Sequence, residues 1–157
     1  MKPFFSTPES LAALDKAARS WIGTPFAPHA MAKGAGADCV HVVAAIYIDL
    51  GVLKSFDPGN YALDEGSHLK ASKVEQWFNG RPEFGLVGHD TPCAPQPGDT
   101  LVFNLARVGH HVGLMLSAGD FLHVFAQQRR PVMTSNLRES FYARRIAAIY
   151  RPLEVGI

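Results

Sequence analysis

The pattern of apolar positions in the first half of the chain predicts helices. Thr7 suits the N-cap of a helix and Pro8 its first turn. Apolar side chains then recur at helical spacing as far as Gly23, at Leu11, Leu14, Ala18, Trp21 and Ile22. We therefore expect an amphipathic helix here, followed by a loop over residues 24–37.

Residues 39–50 form a nearly unbroken apolar run whose local propensity is ambiguous. Its β-branched side chains favour a strand, but twelve residues exceed the length of most strands. Asp38 is a good N-cap and Gly51 a good stop signal. The run therefore predicts a helix, and because it is apolar all round, that helix should be the buried central one.

Further along, the period of the apolar pattern changes from helical to alternating. Residues 52–66 are predicted as loop, 67–79 as a second amphipathic helix, and 92–98 as a proline-rich linker that stops before Asp99. Four alternating segments then predict strands over 100–105, 111–116, 121–125 and 146–150. Helices followed by an antiparallel sheet indicate an α+β protein, with residues 1–157 as a single domain.

Composition excludes several classes of partner. The 157 residues carry a net charge of +1, with no basic stripe or nucleic-acid motif, so no nucleic-acid role is indicated. Five arginines near the C-terminus, Arg129, Arg130, Arg138, Arg144 and Arg145, most often indicate a solvated face and less often a patch for an anionic substrate. No segment approaches the ~20 apolar residues of a membrane span. The N-terminus lacks the apolar core of a signal peptide, so we expect cytoplasmic synthesis and a separate delivery route for any role outside the membrane.

Two cysteines are too few for a disulfide scaffold, and only one of them has a chemically suggestive position. Cys93 lies in the proline-rich linker and is interpreted as a bystander. Cys39 follows the capping Asp38 at the predicted helix start, where the helix dipole favours the thiolate and unpaired N–H groups can hold an oxyanion. A small buried apolar residue is the alternative for Cys39.

Two histidines on the predicted strands can serve as a base and its orienting partner. Alternation places His111 on the strand face opposite Val112, with Gly113 leaving space beside the ring. A hairpin centred on Ser117 would put His123 directly across from His111 on one face. A histidine there can fix the tautomer of the base, although a buried structural histidine is the alternative. His110 is expected to be an exposed neighbour.

Three ordered sequence blocks resemble the NlpC/P60 superfamily of papain-like cysteine peptidases. Residues 21–26 (WIGTPF) resemble the approach to the nucleophile, and residues 38–42 (DCVHV) resemble the family's Asp-Cys-Ser-Gly block. The segments 97–103, 111–115 and 121–123 resemble its two-strand core.

This resemblance implies a papain-like fold with a buried central helix packed on an antiparallel sheet. It implies Cys39 as nucleophile, His111 as general base and acid, and His123 as orienting residue. The expected reaction is hydrolysis of an amide in bacterial cell-wall stem peptides, with no metal or organic cofactor.

The sequence departs from the family pattern beside the nucleophile. Phe26 stands where the family has Tyr, and Val40 and His41 replace Ser-Gly. We take Phe26, Asp38, His41 and Arg107 as candidate substrate contacts, although a solvated loop is the commoner role for an arginine such as Arg107. The departures, together with the absent signal, are consistent with a phage- or prophage-encoded tail enzyme that contacts tail proteins.

Three alternatives remain open at this point. The same thiol site can act as an amidase, thioesterase or acyltransferase on a substrate outside the wall. The domain can instead be a non-catalytic structural part of a phage tail. Metal binding by Cys39, His110, His111 and His123 is the third, but compact ligand spacings are missing.

Overall fold

The computed structural model describes residues 1–57, 71–89, 94–105, 110–125 and 130–156. The helices are α1 (Pro8–Arg19), α2 (Cys39–Asp49), α3 (Ala71–Asn79) and α4 (Ser140–Ala143). The strands are β1 (Met31–Ala32), β2 (Gly36–Ala37), β3 (Phe84–His89), β4 (Thr100–Asn104), β5 (His110–Met115), β6 (Asp120–His123), β7 (Met133–Asn136) and β8 (Ile146–Pro152). Within these described ranges, no helix has the length and apolarity to cross a membrane.

Helix α1 starts as its sequence predicts and ends earlier. The Thr7 hydroxyl accepts from the Ser10 backbone N–H at 3.1 Å, and the Ser10 hydroxyl accepts from the Thr7 backbone N–H. This reciprocal capping pairs backbone donors that the helix itself leaves unpaired. The helix stops at Arg19 rather than at Gly23, which instead has a positive φ of 92° beyond a further turn.

Helix α2 confirms the central buried helix. Asp38 caps it, and Gly51, with a φ of 83°, follows its last turn. Val42 and Ile46 have no exposed surface, and the helix packs mainly against β5. This packing brings the start of α2, where Cys39 lies, against the sheet.

A six-stranded antiparallel sheet forms the other layer, in the order β3-β8-β4-β5-β6-β7. The last strand, β8, lies between β3 and β4 and so joins β3 to the remaining strands of the sheet. The α+β prediction is therefore confirmed, and all four predicted strands are present, with ends shifted by up to two residues.

The sheet also contains strands that the alternating pattern does not predict. These are β3, whose glycines at 85 and 88 weaken its strand signal, and the largely polar β7. The predicted loop over 24–37 contains the short β1–β2 hairpin. The predicted helix over 67–79 is present as α3 from Ala71, and residues 67–70 lie outside the described ranges.

The two faces of the sheet bury separate apolar clusters. One face, which includes Val112 and Leu114, belongs to the main core shared with α2. The other face buries Phe103, Met115 and Phe121 under Tyr142 of α4. Because side chains alternate along a strand, His111 and His123 lie on this second face.

Candidate active site

Cys39 is the first residue of α2, and its thiol lies against the backbone of β5. The residue is 7% exposed, and the Val112 backbone N–H is hydrogen-bonded to its sulfur. The β5–β6 ladder pairs Leu114 with Leu122, so Val112 lies two residues beyond that pair. The geometry places the thiol next to the residue that follows His111.

The protonation state of Cys39 differs from the thiolate expected at a helix start. Burial raises the pKa of the thiol to about 12, and the negative charge of Asp38 acts in the same direction. The backbone N–H groups of Val112, Val40 and Cys39 favour the thiolate, but they do not outweigh these two effects. Burial and the charge of Asp38 therefore both disfavour the thiolate that the position at the helix start was expected to favour.

His111 and His123 lie together, but not by the predicted register. Their Nε2 and Nδ1 atoms are 2.9 Å apart. The ladder pairs Leu114 with Leu122 and Met115 with Phe121, which centres the hairpin on Ala118 rather than Ser117. His123 is consequently two residues from the position opposite His111, which Phe125 occupies, and the two histidine rings meet diagonally.

Aromatic rings fix the orientation of the His111 imidazole. Phe125 stacks on it with ring centroids 4.3 Å apart and planes 8° apart, and Phe103 lies at 6.0 Å. Gly113 leaves room for other rings on this face, because a Cβ there would lie 2.9 Å from the Phe121 ring and 3.3 Å from that of Phe103. The predicted space beside the His111 ring itself stays a prediction.

Both imidazoles are neutral at neutral pH. Burial, and then the neighbouring His123, lower the pKa of His111 well below 6.5. Burial lowers the pKa of His123 to about 4. A neutral imidazole retains one nitrogen lone pair, so His111 is able to accept a proton.

Ser135 on β7 extends the row of polar groups. Its hydroxyl lies 2.7 Å from His123 Nε2. It stands opposite Phe121 in the β6–β7 ladder, and so diagonally from His123 on the same face. The sequence does not mark Ser135, because β7 has no apolar alternation and its pairing with β6 is a tertiary feature.

The start of α2 is organised around the carboxylate of Asp38, which has no exposed surface. It accepts from the backbone N–H of His41 at 2.8 Å and from that of His29 at 2.7 Å. His41 Nδ1 lies 2.8 and 3.0 Å from its two oxygens and donates to them, because an ionised carboxylate only accepts. Asp38 thus holds His41 and the helix start, and direct substrate contact by Asp38 stays a prediction.

The other predicted substrate contacts lie near the nucleophile or outside the described residues. His41 is buried, with its ring 5.1 Å from that of Phe56. Phe26 is partly buried against the main core and bridges to Ala37, two residues before Cys39. Arg107 lies outside the described residues, as does Cys93.

Metal binding has no structural counterpart in the ranges that the structure describes. Among those residues, no three of the His, Cys, Asp and Glu side chains are grouped closely enough to hold an ion. The histidines instead pair with each other and with Ser135, so the arrangement is suited to moving protons.

Comparison with known proteins identifies the family. The sequence model of the NlpC/P60 family matches residues 23–151, which include Cys39, His111 and His123. The chain belongs to the NlpC/P60 family. No curated protein matches the chain.

Solved structures with NlpC/P60 domains share the fold. A protein described as similar to a lipoprotein of the NLP/P60 family, from Staphylococcus aureus, has a TM-score of 0.63 at 15% identity, covering 98% of this chain and 44% of that one. The peptidoglycan hydrolase RipB from Mycobacterium tuberculosis has a TM-score of 0.57 at 19% identity, covering 94% and 66%. The NlpC/p60 domain of the peptidoglycan hydrolase SagA has a TM-score of 0.50 at 18% identity, covering 91% and 97%. The chain spans less than half of the staphylococcal protein and about two thirds of RipB, and the likeness shows a papain-like α+β fold.

Proposed function

We propose that this NlpC/P60 protein is a thiol hydrolase that cleaves amide bonds in bacterial cell-wall stem peptides. The observation that carries the proposal is the 2.9 Å contact between His111 Nε2 and His123 Nδ1, on a strand whose next residue, Val112, has its backbone N–H beside the Cys39 thiol. RipB and SagA, which share the fold, are both described as peptidoglycan hydrolases.

Catalysis starts from a neutral Cys39 thiol and a neutral His111 imidazole. The Cys39 thiol proton passes to His111 as the sulfur attacks the amide carbonyl, so charge develops only when substrate is present. Backbone N–H groups at the start of α2, including that of Cys39, stabilise the resulting oxyanion. His111 then gives its proton to the departing amine, leaving a thioester. A water molecule hydrolyses the thioester and regenerates the thiol.

The contacts support separate roles for the two histidines. His111 is the neighbour of Val112, whose backbone N–H lies beside the thiol, and we assign it as the proton acceptor. His123 is fully buried and contacts His111 through a ring nitrogen, so it orients the base. Phe26 and His41 flank the start of α2 and are proposed to shape the substrate pocket.

A digest of purified peptidoglycan sacculi tests the proposal. Wild-type protein should release new stem-peptide fragments, identified by mass spectrometry, and Cys39→Ala should release none while keeping its circular dichroism spectrum. Cys93→Ala, which replaces the chain's other cysteine, is the matched control and should digest as wild type does. Equal release by Cys39→Ala would overturn the thiol mechanism.

Failure of all variants to release fragments would overturn the wall substrate. Thioester trapping with non-wall peptide amides would then test the alternative amidase or acyltransferase activity. Delivery to the wall by a phage particle and contact with tail proteins stay predictions.

A further inference from the structure

Ser135 ends a continuous row of polar atoms that begins at His111. His111 Nε2 contacts His123 Nδ1 at 2.9 Å, and His123 Nε2 contacts the Ser135 hydroxyl at 2.7 Å. Both ring nitrogens of His123 are therefore engaged, one towards His111 and one towards Ser135. The direction of each hydrogen bond fixes the direction of the other, because a neutral imidazole carries one N–H.

Two arrangements of protons are compatible with these contacts. In the first, His111 Nε2–H donates to His123 Nδ1, and His123 Nε2–H donates to Ser135. His111 Nδ1 is then unprotonated and can accept the thiol proton. In the second, Ser135 donates to His123 Nε2, His123 Nδ1–H donates to His111 Nε2, and the His111 proton is on Nδ1. Only the first arrangement leaves a base for Cys39.

The packing fixes the positions of the two imidazole rings, so the choice between the two arrangements is a choice of tautomer. The His111 ring is held by the Phe125 stack, at 4.3 Å and 8°, so rotation of the ring would disrupt that contact. His123 has no exposed surface, so in this structure its Nε2 is paired with the Ser135 hydroxyl rather than with bulk water. Without an acceptor on β7, a buried Nε2–H would be unpaired, at a cost that favours moving the proton to Nδ1.

We propose that Ser135 is a positioning residue of the active site: its hydroxyl supplies the acceptor that His123 Nε2–H needs, and so it permits the tautomers that leave His111 Nδ1 as the base. The effect of Ser135 on catalysis rests on the function proposed above. The tautomers of His111 and His123 do not, because they are a property of the protein without substrate. Loss of the hydroxyl should convert both histidines to the second arrangement without changing the position of Cys39.

Histidine tautomers are read directly by long-range ¹H–¹⁵N NMR on protein labelled at histidine. Wild type and Ser135→Thr, which keeps the hydroxyl, should show His111 and His123 protonated on Nε2. Ser135→Ala should show both protonated on Nδ1. Thr134→Ala is the matched control, because its side chain lies on the other face of the same strand and should leave the wild-type pattern.

Activity provides the second measurement. Ser135→Ala should lower kcat by about 10- to 100-fold with little change in KM, and Ser135→Thr should restore most of it. Unchanged tautomers in a folded Ser135→Ala variant would overturn the proposal, as would an unchanged kcat. If the wild type digests no peptidoglycan but the tautomers shift as expected, the proposed substrate fails while the role of Ser135 stands.

Discussion

His123 contacts His111 along a diagonal of the β5–β6 hairpin, with 2.9 Å between His123 Nδ1 and His111 Nε2. Directly opposed residues on an antiparallel pair hold their side chains side by side, whereas the diagonal staggers them along the strands. The stagger lets one edge of the His123 ring face His111 while its other edge faces Ser135 on β7. The hairpin is centred one residue later than the sequence predicts. In this register the polar contacts of His123 reach both β5 and a third strand, β7.

The first prediction concerns the neutral thiol. Since burial and Asp38 raise the pKa of Cys39 to about 12, its alkylation by iodoacetamide should be slow at neutral pH and should still be rising at about pH 10, whereas an ordinary thiol levels off above its pKa of about 8.5. The measurement uses Cys93→Ala, so that Cys39 is the sole cysteine. Unfolding the same protein in urea provides the reference for an ordinary thiol. A rate independent of pH between roughly 5 and 8 would show a preformed thiolate and contradict this expectation.

The second prediction is a loss of folding stability in acid. The pKa of His123 is about 4 in the folded protein and about 6.5 when unfolded, so the unfolded state takes up more protons as pH falls below 6.5. Stability is therefore fully present above pH 6.5 and declines towards pH 4. His123 alone should account for about 2 kcal/mol between pH 7.5 and pH 5, and His111 adds to the same trend.

Urea unfolding at several pH values measures this effect. His123→Asn should have a shallower pH dependence than wild type, because it removes one of the buried titrating groups. Met133→Leu, which changes the residue opposite His123 without changing any charge, should keep the wild-type slope. Equal slopes for His123→Asn and wild type would mean that His123 is not held neutral by the fold.

The third prediction concerns Asp38. Asp38→Asn places an amide N–H₂ against the N–H donors of His29 and His41, so the variant should lose about 1–3 kcal/mol of unfolding free energy. Removal of the negative charge should also lower the pKa of Cys39 relative to wild type. Urea unfolding and thiol alkylation measure the two effects. The partly exposed Asp15, in a surface pair with Arg19, is the control, and Asp15→Asn should change stability by at most about 0.5 kcal/mol.

The fourth prediction concerns Gly113. An added Cβ would lie 2.9 Å from Phe121 and 3.3 Å from Phe103, two fully buried rings beside the histidines. Gly113→Ala should therefore lose about 1–3 kcal/mol by overpacking and should lower activity, because the displaced Phe121 ring contacts His123. Gly156→Ala adds its methyl group in open space and should leave both unchanged. A fully active and stable Gly113→Ala would contradict the close packing.

Much of the fold is predictable from local sequence. Asp38 and Gly51 bracket an apolar run whose length decides for helix, and alternation predicts the four strands at 100–105, 111–116, 121–125 and 146–150. The strands that are not predicted, β3 and β7, have glycine or polar residues where alternation is sought. The strand conformation of β3 depends on its pairing with β8, which is distant in sequence. That of β7 depends on its pairing with β6, to which it is joined by a long connection.

The sequence by itself determined the candidate residues Cys39, His111 and His123, because a cap before a cysteine and period-two spacing around histidines are local signals. Only the tertiary structure decided the surroundings of these residues. Burial set the neutral state of the thiol and the imidazoles, and the position of the hairpin turn set the diagonal contact. Ser135 entered the site through strand pairing. Desolvation and strand register both depend on which distant segments pack together, and no local pattern records that.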